Sequence, residues 1–500
     1  MLGAFFVKMY DTIKRSITMS EASEQDLKNR YCFFSKALLI GPLVFSTAFA
    51  FDYKLGGKAE QTSWIGFNQH QIDSSKGIYP TQQYATISGY LDLSFSLLPE
   101  KSDHSLKGAI AGMVGGVLYD STRHYKDGSV LYKIYGYYDG YLGGASNVLS
   151  TDSVAVQNAK KRAVAHTYIF SDAYLDYQYK NVFGVKAGRY NSTMPYRSGK
   201  TQGFEVFGQY KHARLVWFSS WGRAIVGGGF LIDWYAPRTS YNGDYTKNSK
   251  GGWDPHGKKL SYGTHAVRLI YNRHKLLTEF FYYFSPKAFN APGFQVGWDT
   301  NPNFSGKGFR SHTHLIAFFP MYYPWMLVGK DGKPIYRYDN PATPNGQSLI
   351  IRQRFDYNNF YLIGAFYKNF KNTNAYVGNM GNPSGVLMGN DSIYAGVAGT
   401  ALKADAVTGM ISYGATHFKE KFSWKMLWQW SSAPVSWEGR YMLTLGYTFN
   451  KVLKGSVDLL YYGVHTNKGY KAGLNAPCTT GCQGGYQDRS ALYTSLIASF

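Results

Sequence analysis

The chain has 500 residues, with 44 Tyr, 32 Phe and 55 Gly but only 17 Pro, and a mean hydropathy of −0.30, so its apolar residues are dispersed among polar ones. This excludes a helical membrane bundle, because beyond the N-terminal segment no apolar run approaches the about 20 residues that a spanning helix needs. The net charge of +22 does not by itself indicate a nucleic-acid binder, since the basic residues are scattered singly. Contact with phosphate-rich outer-leaflet lipid, an anion-favouring pore or a solvated basic surface each account for it.

In chain order, Lys28, Arg30 and Lys36 precede the apolar run 37–45, and Ser46-Thr47-Ala48-Phe49-Ala50 follows. A basic region, a short apolar core and an Ala-x-Ala end form a secretory signal peptide. The sequence therefore divides into residues 1–50, an N-terminal extension with a cleaved signal bounded by Ala48 and Ala50, and residues 51–500, a single domain. Met9 and Met19 are alternative starts, and the mature chain is expected to begin at Phe51.

From Leu55 onward the chain alternates. In 87–97, Leu91, Leu93, Phe95 and Leu97 share one face and Asp92, Ser94 and Ser96 the other, as a strand with two unlike faces requires. Strands ending in Tyr or Phe meet short polar connections at Tyr179-Lys180-Asn181-Val182, Tyr210-Lys211-His212-Ala213, 271–276, Tyr357-Asn358-Asn359-Phe360 and Phe449-Asn450-Lys451-Val452. These are hairpin turns. Long segments at 121–165, 222–261, 285–308, 331–347, 371–391 and 466–487 lie between the hairpins. Short turns alternating with long loops describe an all-β, transmembrane antiparallel barrel, with turns on the periplasmic side and loops outside. About eighteen strands are expected, including 322–329 and 392–401; sixteen is the competing count. Pro324 weakens 322–329, and 422–430 is a further candidate strand.

The final stretch alternates too. Leu492, Thr494, Leu496, Ala498 and Phe500 share one face; Tyr493, Ser495, Ile497 and Ser499 share the other. It resembles the closing strand of bacterial outer-membrane barrels, whose terminal Phe is read by the assembly machinery. Phe500, Leu496 and Leu492 are the candidate assembly signal. Among three cysteines, Cys478 and Cys482 frame a five-residue loop, which reads as a small disulfide in an exported protein, whereas a zinc site would need a second pair.

A lipid-facing charge at mid-membrane costs about 2–4 kcal/mol, so strand charges are assigned to the lumen. The basic candidates are Lys186, Arg214, Arg268, Arg310, Arg352 and Arg354; the acidic ones are Asp92, Asp176, Glu205, Glu279 and Asp458. Together they could form a charged eyelet or simply a polar lining. His312 and His314 share a strand face but make no metal site alone. The segment 222–261, with Arg223, Asp233 and Arg238, is long enough to fold inward and equally able to lie on the surface; Gly227-Gly228-Gly229 reads as loop. No nucleophile elbow, His-Glu-x-x-His or phosphate-binding Gly-Lys motif is present, so no enzyme, cofactor or metal is expected.

Val185-Lys186-Ala187-Gly188-Arg189-Tyr190 leading to Pro195, then Gly203-Phe204-Glu205-Val206-Phe207-Gly208 and the closing Phe500, resemble the Hof family of Helicobacter outer-membrane proteins. The similarity extends more distantly to OprD-type porins of eighteen strands. It implies a basic ladder in the pore, for which Arg268, Arg310, Arg352 and Arg354 are candidates by face alone. The expectation is a porin-like channel for small hydrophilic solutes, including anionic or carboxylate-bearing ones. Its partners would be outer-membrane lipid, lipopolysaccharide and the barrel-assembly machinery, with no nucleic acid. The competing reading is a plugged barrel that acts through its outer loops as an adhesin for a host-surface ligand or as an envelope anchor.

Overall fold

The computed structural model describes residues 52–68, 81, 83–99, 102–120, 168–195, 199–236, 239–333, 345–371, 400–471, 476–477 and 481–500. Asp52–Phe500 forms one compact unit. Among the described residues, no helix is long and apolar enough to cross a membrane, and eighteen antiparallel strands close a ring. They are β1 (Asp52–Gly66), β2 (Gln83–Ser96), β3 (His104–Asp120), β4 (Tyr168–Tyr179), β5 (Phe183–Asn191) and β6 (Lys200–Tyr210). Next come β7 (Ala213–Gly227), β8 (Thr264–Arg273), β9 (Leu276–Ser285), β10 (Phe289–Asp299), β11 (Phe309–Phe318) and β12 (Gly346–Tyr357). The ring is completed by β13 (Phe360–Lys371), β14 (Val407–His417), β15 (Phe422–Ser432), β16 (Ser436–Thr448), β17 (Leu453–Thr466) and β18 (Ala491–Ser499). Each strand pairs with its sequence neighbours, and β18 pairs with β1 from Lys58↔Ser499 to Gly66↔Ala491. Closure leaves no sheet edge, which is what allows strands to span lipid with every backbone group paired.

Alternation sets the two faces of the wall. Leu91, Leu175, Leu215, Leu269, Phe280, Ile351 and Leu459 are exposed on the outside. Their neighbours Met113, Phe218, Phe281, Tyr283, Ile350 and Tyr367 are buried inside. Aromatics collect outside at the turn end, including Tyr179, Tyr210, Tyr271, Phe309, Tyr357 and Phe449, as in a barrel girdle.

Four sequence expectations are corrected. The segment 322–329 is no strand of the wall: Met321–Tyr322 pairs briefly with Phe289–Asn290, and Pro324–Met326 is a 3₁₀ turn. The stretch 392–401 places no strand in the wall between β13 and β14. Its residues 392–399 lie outside the described residues, Thr400–Leu402 is a 3₁₀ turn, and β13 pairs directly with β14. Conversely, 285–308 is not one long loop, because β10 lies inside it; the candidate 422–430 is realised as β15. Loop lengths are also less strictly segregated than expected. Residues 286–288 and 433–435 are short connections on the loop side, and 300–308 is a nine-residue connection on the turn side.

Candidate functional site

The inner wall of β7–β13 has two levels. Toward the loops, Phe218, Ala266, Phe281, Tyr283, Phe289, Ile316, Phe318, Ile350 and Tyr367 form one apolar cluster with Met194. Toward the turns, β7–β12 carry charge. Their inward positions change from apolar to polar or ionisable partway along: Phe281 to Glu279, Ile316 to His314, Ile350 to Arg352.

At the charged level, Arg268 donates to both carboxylate oxygens of Glu279, at 2.5 and 2.8 Å. Gln295 Nε2 donates to Glu279 Oε2 at 2.5 Å, and its Oε1 lies 3.0 Å from His314 Nε2. This links β8, β9, β10 and β11 side to side. Closer to the turns, Arg310 makes a forked contact with Asp299, its Nε at 2.9 and 3.0 Å, and its Nη1 lies 3.7 Å from Asp356. Arg354 donates to Asp356 at 2.7–3.0 Å, and its guanidinium sits 4.8 Å over the Tyr361 ring. Planar, bidentate pairing of this kind is what a guanidinium does best. Arg352 lies between these pairs, and its buried Nε has no hydrogen-bond partner among the described residues. His312 and His314 stack at 5.8 Å. The described residues contain no group of three metal-binding side chains.

The other sequence-selected residues are placed individually. Lys186 lies 3.8 Å from Asp176 and 4.3 Å over Tyr174. Arg214 stacks 3.6 Å over Phe207. Glu205 is occupied by the loop-side connection before β6: Thr193 Oγ1 donates at 2.8 Å and Ser192 Oγ at shorter range. Asp92 flanks Gly56 of β1 between outward Leu91 and Leu93. Asp458 faces inward opposite Thr444 and Tyr493, between outward Val457 and Leu459, and its Oδ1 has no hydrogen-bond partner among the described residues. Cys482 is disulfide-bonded. Cys478, Ala48, Ala50 and Arg238 lie outside the described residues, as does the side chain of Asp233.

Several connections enter the ring, among them residues 192–195, which bring Met194 into the apolar cluster, and two longer segments. Beyond β7, the strand turns at Gly228-Gly229 and Phe230–Tyr235 runs back against it. This hairpin meets the inner wall of β1–β4. Thr86 Oγ1 donates to the Gly228 carbonyl at 2.9 Å, and Trp234 Nε1 donates to the Phe170 carbonyl at 2.9 Å. Arg189 stacks 4.7 Å over Trp234, and Leu231 is fully buried against Met113, Ile169 and Ala224. The second segment follows β11: Tyr322, Met326 and Leu327 enter the apolar cluster. Above it, Trp325 stacks on Tyr245 at 4.2 Å, and Asn248 Nδ2 donates to the Lys330 carbonyl at 2.8 Å. Burial raises the Tyr245 phenol above its usual range.

Sequence reasoning missed Asp299, because β10 was read as loop, and the buried pair in which Lys200 donates to both oxygens of Asp172 at 2.8 Å. Tyr90 also donates to Asp172, at 3.1 Å. Period-two alternation puts Asp172 on an inner face, but Lys200 lies before the expected start of its strand.

A family model described as "Putative outer membrane protein" matches residues 38–500. No curated protein matches the chain. Among solved structures, the fold is similar to that of OccAB1 from Acinetobacter baumannii, with TM-score 0.56 and 8% identity over 90% of this chain and 96% of that one. OccK9 (OpdG) from Pseudomonas aeruginosa gives TM-score 0.55 and 9% identity over 90% and 98%. OpdK from the same species, solved with vanillate, gives 0.52 and 10% over the same shares. The resemblance to Helicobacter outer-membrane proteins, and more distantly to OprD-type porins, agrees with these findings, as do the eighteen-strand barrel and the outer-membrane location.

Proposed function

The chain belongs to the family of outer-membrane proteins whose model it matches, and from that membership we propose that its barrel is a channel that favours anionic, carboxylate-bearing solutes. The observation that carries the preference is Arg352. Of the four arginines on β8–β12, Arg268, Arg310 and Arg354 are paired with Glu279, Asp299 and Asp356, whereas Arg352 makes no ion pair among the described residues, so its positive field acts on a passing anion uncompensated. OpdK was solved with vanillate, an aromatic carboxylate, and a lumen with a cationic level beside an apolar, aromatic level suits both ends of such a solute. Lys186 and Arg214 add positive charge on the inner wall, while Asp92 and Asp458 limit how anion-selective the path becomes. On this reading the signal ends at Ala50, the Cys478–Cys482 bridge lies in an outer loop, lipopolysaccharide surrounds that side, and the assembly machinery reads Phe500.

The test is the reversal potential across planar bilayers under a salt gradient. Arg352→Glu should lower anion preference, most clearly near 0.01 M salt, where the Debye length is about 30 Å, and little near 1 M, where it is about 3 Å. The single change is cleaner than a double change with Arg354, whose loss would also release Asp356. A wild type that conducts nothing, or an Arg352→Glu channel with unaltered selectivity, would refute the reading.

A further inference from the structure

We propose that the turn-side rim of the barrel is a docking surface for anionic phospholipid headgroups of the periplasmic leaflet. Turns of such barrels face the periplasm. Six of the eight turn-side connections carry exposed cations: Lys180, Lys211, Lys275 (beside Arg273 at the end of β8), Lys307, Lys419 with Lys421, and Lys451. The described residues of all eight connections contain two acids, Asp103 between β2 and β3 and Glu420 between β14 and β15. Asp103 is engaged with Lys180 at 3.1 Å. From the β4–β5 turn to the β10–β11 connection the cations follow one another without a gap.

Their height decides the partner. Exposed Tyr179, Tyr210, Tyr271, Phe309 and Phe449 mark the membrane–water boundary, where amphipathic rings settle. The cations lie within a few residues of these rings, at the depth of lipid phosphates. The Lys180 and Lys211 ammonium groups lie 5.6 and 5.1 Å over the rings of Tyr179 and Tyr210, which places both cations beside the aromatic girdle.

Three of these lysines sit at turn positions that a neutral residue can also fill. Lys180, Lys211 and Lys419 occupy left-handed positions, with φ of 48°, 51° and 54°. Glycine or asparagine fills such positions at lower cost. The chain itself uses Asn358, at φ 50°, in the β12–β13 turn, which carries no charge. Left-handed lysines also occur on the loop side, at Lys287 and Lys371, and Lys180 is paired with Asp103, so what sets the rim apart is the run of cations from turn to turn.

The experiment compares the purified full chain in vesicles of phosphatidylcholine with and without phosphatidylglycerol. The readouts are the temperature at which the heat-modifiable gel band converts and the lipid adducts retained in native mass spectrometry. The wild type should convert at a higher temperature, and retain phosphatidylglycerol, only when that lipid is present, and about 1 M salt should abolish the shift. The variant Lys180→Asn, Lys211→Asn, Lys419→Asn keeps residues suited to left-handed turns, so it should fold and convert in phosphatidylcholine at no lower temperature than wild type. Its affinity for the anionic lipid should fall about five-fold for each lysine removed. Equal conversion in both vesicles, a variant that keeps the full shift, or soluble glycerol phosphate producing the same shift would overturn the proposal. So would salt-sensitive binding to cell-wall sacculi without lipid preference. Conductance is not read, so a closed channel would leave this result intact.

Discussion

At the scale of single residues, the lumen shows that charge on an inner wall is mostly used against itself. Arg268 is 9% exposed and Glu279 1%, so each depends on the other for the solvation that water would otherwise give. Arg268→Met should leave a buried carboxylate uncompensated and cost about 3–5 kcal/mol of stability, the range for breaking such pairs. The double change Arg268→Met, Glu279→Met should recover most of that loss, because an apolar pair of similar size needs no compensation. Urea unfolding of both variants in the same detergent checks this; a double variant as unstable as the single one would mean that Gln295 and His314, not the ion pair, hold this level together. Alternation places Arg268 and Glu279 on inner faces from sequence alone. Their contact is not legible there, since it depends on the stagger between β8 and β9, in which Arg268 lies opposite Phe281 and reaches Glu279 diagonally.

At the scale of elements, most strands were legible because each repeats a two-residue pattern between aromatic-edged turns. The failures share a cause. β10 was missed because Pro292-Gly293 breaks its pattern, although the break lies close to the loop end, where Pro292 has neighbours on both sides. The segments 322–329 and 392–401 alternate plausibly, but the one enters the lumen and the wall closes without the other. The eighteen-strand count is therefore correct although two of its members were exchanged. The inward course of 223–235 is not legible in Gly227-Gly228-Gly229, since a glycine run suits any loop; the contacts with Thr86, Phe170 and Met113 are long-range. They also supply a prediction. Leu231 is fully buried where the hairpin meets the wall, so Leu231→Ala should cost about 2–5 kcal/mol of local stability. A loosened hairpin should widen the path and raise single-channel conductance without changing the heat-modifiable gel shift. Unchanged conductance with normal assembly would show that the hairpin does not restrict flow.

At the scale of the molecule, the ring exists only if β18 finds β1, two strands separated by nearly the whole chain. Such a contact bears a large loop-closure cost before it is rewarded, so its last residues matter more to assembly than to final stability. Phe500 contributes at this seam in two ways: its backbone exchanges hydrogen bonds with Gly57 at 3.0 and 3.1 Å, and its ring occupies the space that a Cβ at Gly57 would fill. Leu496, 45% exposed on the lipid side, continues the same outward row. Phe500→Asp should therefore reduce the fraction of chain that reaches the outer membrane in heat-modifiable form, while Phe500→Tyr, which keeps the ring, should not. Gly57→Leu should resemble Phe500→Asp, because it displaces the ring without altering residue 500. If Phe500→Asp assembles poorly but Gly57→Leu assembles normally, the side chain is needed for recognition by the assembly machinery before closure, not for the seam. If both assemble normally, the pairing from Lys58↔Ser499 to Gly66↔Ala491 closes the barrel without it.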